Sequence, residues 1–181
     1  MAVAGKRALA LSRVYGLLEP GPVLLLTTSQ RGVPNVMTLS WHLMMEFVPP
    51  LVGCVVSGND HSHAALVATR ECALNLPGAE LAPQVVACGN TSGRTLDKFA
   101  AFGLTRRPAA AIAAPLIAEC VANLECRVVD TRLKNRYDFF VLEVVKAWVA
   151  PGAMQARTLH HRGHGVFSVD GETITLPSRM K

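Results

Sequence analysis

Pro34-Asn35-Val36-Met37-Thr38-Leu39-Ser40-Trp41 spaces three short hydrogen-bonding side chains along a strand-like segment that ends in an indole. Asn35, Thr38 and Ser40 offer polar groups of modest reach, and Trp41 offers a flat apolar wall. An apolar run from Leu51 to Val56 follows Pro49-Pro50. Such a set suits a flat molecule with a polar edge better than a metal ion, which needs convergent His, Cys or carboxylate ligands.

Outward from this stretch the pattern is that of short strands. Val23 to Thr28 reads as a buried strand, Gln30-Arg31-Gly32 as a turn and Asn35 to Trp41 as the returning strand, which together make a hairpin. Leu51 to Ser57 reads as a third strand. Ser57 to Ser62 is a polar loop, after which Ser62 is expected to cap a helix over 63–69. Cys72 to Leu76 returns as a strand. Two helices over 81–87 and 95–102 flank the loop Gly89-Asn90-Thr91-Ser92-Gly93, and Arg106 to Pro115 reads as a surface connection. Leu124 to Asp130 and Tyr137 to Val149 are long β-type runs, and 166–175 reads as a hairpin turning at Asp170-Gly171. Residues 1–19 read as a helical lead-in with Leu9, Val14, Leu17 and Leu18 facing inward, and 20–181 as one domain. The fold class expected is mainly β with short helices.

Composition narrows the function. At 181 residues the chain suits one domain, long enough to bury about two-thirds of its unfolded surface. Half of the residues are hydrophobic and only 17% are charged, so part of the apolar surface is expected to meet a second copy in a homodimer. No apolar run approaches the roughly 20 residues of a membrane helix, and the first residues lack a signal-peptide core; a cytoplasmic protein is expected, with no membrane partner. The net charge of +5 comes from scattered Lys and Arg without an aromatic platform, which argues against nucleic acid and for a small phosphate-bearing ligand. Five cysteines without a Cys-x-x-Cys pair read as buried hydrophobes, with Cys88 the candidate reactive thiol. His160-His161-x-x-His164 has the composition of a metal site. Its glycines and the absence of a nearby acidic residue in sequence speak against one, so no metal is expected.

Several further motifs occur in order: Pro22-Val23-Leu24-Leu25-Leu26-Thr27-Thr28, Asn35-x-Met37-Thr38-x-Ser40-Trp41, Pro49-Pro50-Leu51-Val52-Gly53, Asn75-Leu76-Pro77, Cys88-Gly89-x-x-Ser92-Gly93, Asp97-Lys98-Phe99, Leu124-Glu125-Cys126 and Glu143-Val144-Val145. In this order and spacing the chain resembles the flavin reductase-like family of FMN-binding split β-barrels, flavoredoxin-type members in particular, from about Pro20 to Phe167. The resemblance implies FMN contacts at Asn35, Trp41, Ser62 and Lys98, with Met37, Thr38, Leu39 and Ser40 lining the same strand. It places Ser57 and His61 nearby and Phe167 against the cofactor. Many relatives have a histidine where this chain has Tyr137, which hydrogen-bonds but carries no positive charge near pH 7.

The implied activity is NAD(P)H-dependent reduction of flavin, with electrons passed on to an acceptor. Hydride transfer needs stacking and charge stabilisation, so no catalytic nucleophile is expected. Two other activities fit the same fold: a flavoredoxin-like electron carrier serving an acceptor protein, and a non-enzymatic flavin or haem-binding module.

Overall fold

The computed structural model describes residues 5–18 and 20–177. In chain order the elements are β1 (Arg7–Ala8), a 3-10 turn (Leu11–Arg13), α1 (Tyr15–Leu18), β2 (Leu24–Gln30), β3 (Val33–Leu39), β4 (His42–Phe47), β5 (Pro50–Val55), α2 (His61–Thr69) and β6 (Glu71–Leu76). A 3-10 turn (Ala79–Leu81) leads into α3 (Ala82–Asn90), α4 (Lys98–Phe102), β7 (Arg106–Arg107), β8 (Leu116–Ile117), β9 (Ala122–Asp130), α5 (Lys134–Tyr137) and β10 (Phe139–Val149). A last 3-10 turn (Ala153–Gln155) precedes β11 (Leu159–Gly163) and β12 (Val166–Val169). No helix among the described residues is long and apolar enough to cross a membrane.

The main sheet runs β3-β2-β6-β9-β10-β5-β4, with β1 added to β10. Every neighbouring pair is antiparallel. Period-2 alternation sends Leu24 and Leu26 of β2, Cys72 and Leu74 of β6, Leu124 and Cys126 of β9 and Phe140, Leu142 and Val144 of β10 into one interior. Val14, Leu17 and Leu18 close that interior. The opposite face of β2, with Val23 and Leu25, packs on Leu81, Val85 and Cys88 beside α3 and on Phe99 of α4. β2 is therefore buried on both faces, which explains its unbroken apolar run. β3 is an edge strand, where Pro34 is tolerated.

Several polar residues of the motifs hold this frame. Asn75 donates to Leu25 O at 2.9 Å and accepts from Ile117 N at 3.1 Å and Asn123 Nδ2 at 2.7 Å. Glu125 points out of the barrel while its neighbours Leu124 and Cys126 point in. Its carboxyl oxygens accept from Trp148 Nε1 at 2.7 Å, Ala110 N at 3.0 Å and Ala111 N at 2.6 Å. The segment 106–115 is a surface connection that side chains from the sheet tie down; it starts with β7, which pairs with β8 just beyond its end.

The structure corrects five expected boundaries. The lead-in is partly extended: Arg7 and Ala8 pair with Val149 and Trp148, and the Lys6 ammonium binds Asn123 Oδ1 and Ile117 O. Residues 1–4 and 19 of that lead-in lie outside the described residues. The strand after Asn35 breaks at Ser40-Trp41 and resumes as β4, which pairs with β5 from His42 opposite Cys54 to Phe47 opposite Pro50 around a bulge between Met44 and Glu46. α3 extends to Asn90, leaving the loop at 91–97. α4 begins only at Lys98, because the Asp97 side chain caps it by accepting from Phe99 N at 3.0 Å and Ala100 N at 3.3 Å. The terminal hairpin turns at His164-Gly165, and Asp170 is occupied by Thr158 instead.

Candidate functional site

Two cavities lie along β3 under α3. The first, about 220 Å³, is lined by Asn35, Met37 and Thr38 of β3, by Asn59, Asp60 and His61 at the start of α2, and by Cys88, Gly89, Thr91, Ser92, Gly93, Arg94 and Lys98. The second, about 300 Å³, is lined by Val23, Thr38, Ser40, Val85, Val86, Gly89, Asn90, His161, Gly165 and Phe167. Thr38 and Gly89 border both, so the two form one groove with a polar end and an apolar end. The Thr38 hydroxyl donates to Val85 O at 2.6 Å and fixes α3 against the strand.

The polar end is built by close approach. Asn35 is 8% exposed and donates from Nδ2 to the buried Ser62 hydroxyl at 2.8 Å. Its Oδ1 packs against Gly93 so tightly that a Cβ there would overlap it and would lie 3.0 Å from His61 Cδ2. Ser57 shapes the loop: its N–H donates to Asp60 Oδ2 at 3.1 Å and its hydroxyl accepts from Asn59 N at 3.2 Å. Gly58 N donates to Asp138 Oδ2 at 3.1 Å, tying this loop to the start of β10. α2 starts at His61 after an extended Asp60, so Ser62 lies inside its first turn and does not cap it, and the positive end of the helix faces the cavity.

Lys98 is 4% exposed, and its Nζ donates to Cys88 O at 2.7 Å. Burial lowers the pKa of its ammonium, an effect that Cys88 and Asp60 oppose in part. An anion in the first cavity would relieve that desolvation, and Arg94 lines the same cavity as a second cation. Cys88 is buried and burial raises its thiol to about 11, so of its two readings the buried hydrophobe fits and the candidate reactive thiol does not.

Asn35, Met37, Thr38, His61 and Lys98 therefore meet in the first cavity, and Thr38, Ser40 and Phe167 in the second, with Ser62 directly behind Asn35. Leu39 points into the barrel core at 3% exposure. Trp41 is 71% exposed and Tyr137 is 55% exposed beneath the Arg136 guanidinium; neither lines the groove of this chain. Thr91, Gly93 and Arg94 line the first cavity and His161 the second, although the sequence reading did not single them out. The glycines and hydroxyls of 89–93 carried the signal for Thr91 and Gly93, whereas Arg94 had none and His161 reaches the groove only through the fold. His160 pairs with Asp170, and no group of three or more metal-ligating side chains converges among the described residues.

Residues 17–167 match the family pattern of the flavin reductase like domain. The chain belongs to the flavin reductase-like family. Among its relatives is the uncharacterized protein YddH of Escherichia coli (strain K12), 32% identical over 175 residues, covering 88% of this chain and 92% of that protein. The reductase component of the 4-nitrophenol 4-monooxygenase/4-nitrocatechol 2-monooxygenase of Rhodococcus opacus is 32% identical over 130 residues, covering 72% of this chain and 66% of that protein. The crystal structure of an FMN-binding domain of a flavin reductases-like enzyme from Shewanella baltica superposes with a TM-score of 0.88 at 24% identity, covering 95% of this chain and 97% of that one. Mainly β with short helices, the fold is thus that of the flavin reductase-like split barrels.

Proposed function

We propose that this chain binds FMN along the joined groove and acts as a flavin reductase that uses NAD(P)H. The observation that carries the reading is the pairing of a polar cavity holding a buried lysine with an apolar cavity walled by Phe167, the two meeting at Thr38 and Gly89. Lys98, Arg94 and the α2 N-terminus suit a phosphate; Val85, Val86 and Phe167 suit a flat ring system, with Ser40 and Asn90 for its polar edge. Bound FMN would supply the hydride acceptor and relay its electrons onward. The protein's own part is to orient the ring, exclude water from its buried face and balance the phosphate charge. The kinship to a monooxygenase reductase component supports a reductase role.

The homodimer belongs to the same proposal. Trp41, Leu43, Met45 and Phe47 lie along the edge strand β4 and its approach, and are 71%, 52%, 47% and 41% exposed. An apolar row on a free sheet edge suits a second copy of the chain. Covering it would bury Trp41 beside the end of the ring cavity at Ser40. Trp41→Ala should shift the protein toward monomer in sedimentation velocity and change the fluorescence of added FMN. A fully dimeric variant with unchanged flavin fluorescence removes Trp41 from both roles.

The absorbance spectrum, taken before and after anaerobic addition of NADH or NADPH, tests the central reading. Flavin bands near 370 and 450 nm, as flavin chemistry dictates, are expected to bleach on addition. Bands that persist would point to an electron carrier instead. No band, even after FMN is supplied, would overturn the reading.

A further inference from the structure

The β11–β12 hairpin stands apart from the barrel: among the described strands, β11 and β12 pair only with each other. One side rests on the frame, where Val23 N donates to Leu159 O at 2.7 Å and Leu159 and Phe167 pack into the cluster beneath α3. From the hairpin, His161, Gly165 and Phe167 line the second cavity. Its tip, Gly163-His164-Gly165, is left-handed throughout, with φ of 93°, 50° and 74°. Such a wall, joined to the core by few contacts, opens at lower free energy than the barrel itself.

One residue fastens it from the side. His160 Nε2 lies 2.7 Å from Asp170 Oδ1, and Nδ1 lies 3.2 Å from Gly21 O in the turn before β2. Asp170 is itself held, since Thr158 donates to its Oδ2 from the backbone at 2.8 Å and from the hydroxyl at 2.6 Å. Arg157 Nε adds a bond to Asp170 O at 2.9 Å. The Thr158 hydroxyl also lies 3.2 Å from Nε2, so the contacts at Nε2 orient the imidazole within the hairpin and the contact at Nδ1 reaches across to the frame at Gly21.

We propose that His160 is a positioning residue for bound flavin: joined to Asp170 through one nitrogen and to the Gly21 turn through the other, it keeps His161 and Phe167 closed over the ring cavity and sets how long flavin stays bound. The inference rests on the FMN reading above. It assigns His160 no contact with the ring, since His161 and Phe167 make the wall. Losing this fastening raises the frequency with which the hairpin opens, and so acts on release far more than on capture.

Stopped-flow fluorescence of FMN binding to the full chain separates the two rates. His160→Ala should raise the FMN dissociation rate about 3- to 10-fold, the loss of the hydrogen bond that ties the hairpin to the Gly21 turn, with the association rate changed by less than about twofold. His160→Gln, which retains an amide donor, should recover part of the effect, and thermal unfolding of the flavin-free protein should be nearly unchanged. Dissociation within about twofold of the parent rate in His160→Ala would overturn the proposal. If that variant fails to fold, Asp170→Asn decides by the same criterion, since it keeps the side-chain shape and weakens the charge on the partner. Failure of the unaltered protein to bind FMN would sink the FMN reading and this inference together; binding with unaltered release in the variants would sink only the inference.

Discussion

Lys98→Ala should weaken FMN binding about 10- to 100-fold while leaving riboflavin binding within about twofold. Lys98 sits on the first turn of α4, where the Asp97 cap fixes its backbone, and its ammonium reaches across to Cys88 O at the floor of the polar cavity. A lysine that is 4% exposed has lost most of its water, which is why its pKa is lowered. A phosphate would restore the lost solvation with a charge-assisted bond, of about 1.5–3 kcal/mol. Riboflavin lacks the phosphate and cannot report on that bond. Isothermal titration with both flavins measures the difference, and equal losses for the two would place Lys98 elsewhere than at the phosphate. Lys98→Arg keeps the charge but must fit a planar, longer group into the same buried space, so it should recover only part of the affinity.

The motif Asp97-Lys98-Phe99 shows how such a site becomes legible from residue order alone. Each of its three residues has a separate physical duty: cap, cavity cation and core anchor. The helix dictates their spacing, and the spacing is what the chain displays. The same holds for Asn75 and Glu125, polar residues inside apolar strands that have to be satisfied by hydrogen bonds when buried. The strands were legible where one face is buried, because alternation has period 2 whatever the neighbours do. β4 was not, since its apolar residues face outward from a single chain and resemble a loop with hydrophobic residues. His161 was not either, because it comes to the groove through a hairpin that turns on His164-Gly165. Asp170-Gly171 carries the stronger turn signal, but Asp170 is engaged by Thr158 and His160. Trp41 is a different case. Its flatness suggested a ring wall, yet the fold directs it to the surface beside β4, where a second copy would have to complete any contact.

Gly93→Ala should lower FMN affinity at least about 30-fold with little loss of thermal stability, because the strain falls on the site and not on the core. The added methyl would overlap Asn35 Oδ1, approach Asn35 Cγ to 2.7 Å and His61 Cδ2 to 3.0 Å. Asn35 cannot swing aside cheaply. Its amide is donated to Ser62, which is 1% exposed, so moving it leaves a buried hydroxyl without that donor, at about 1–3 kcal/mol. The alternative is displacement of the 91–94 loop, which carries Ser92 and Arg94 away from the first cavity. Either route deforms the polar end of the groove while the barrel interior, to which neither Asn35 nor Gly93 contributes, is untouched. The two routes separate in a double-mutant cycle with Asn35→Ala. If the clash acts through Asn35, adding Gly93→Ala to Asn35→Ala costs almost nothing more. If the loop moves instead, the two losses add. An unchanged affinity in Gly93→Ala alone would mean that the 91–94 loop yields freely and that the close packing of Gly93 on Asn35 does not shape the phosphate end of the site.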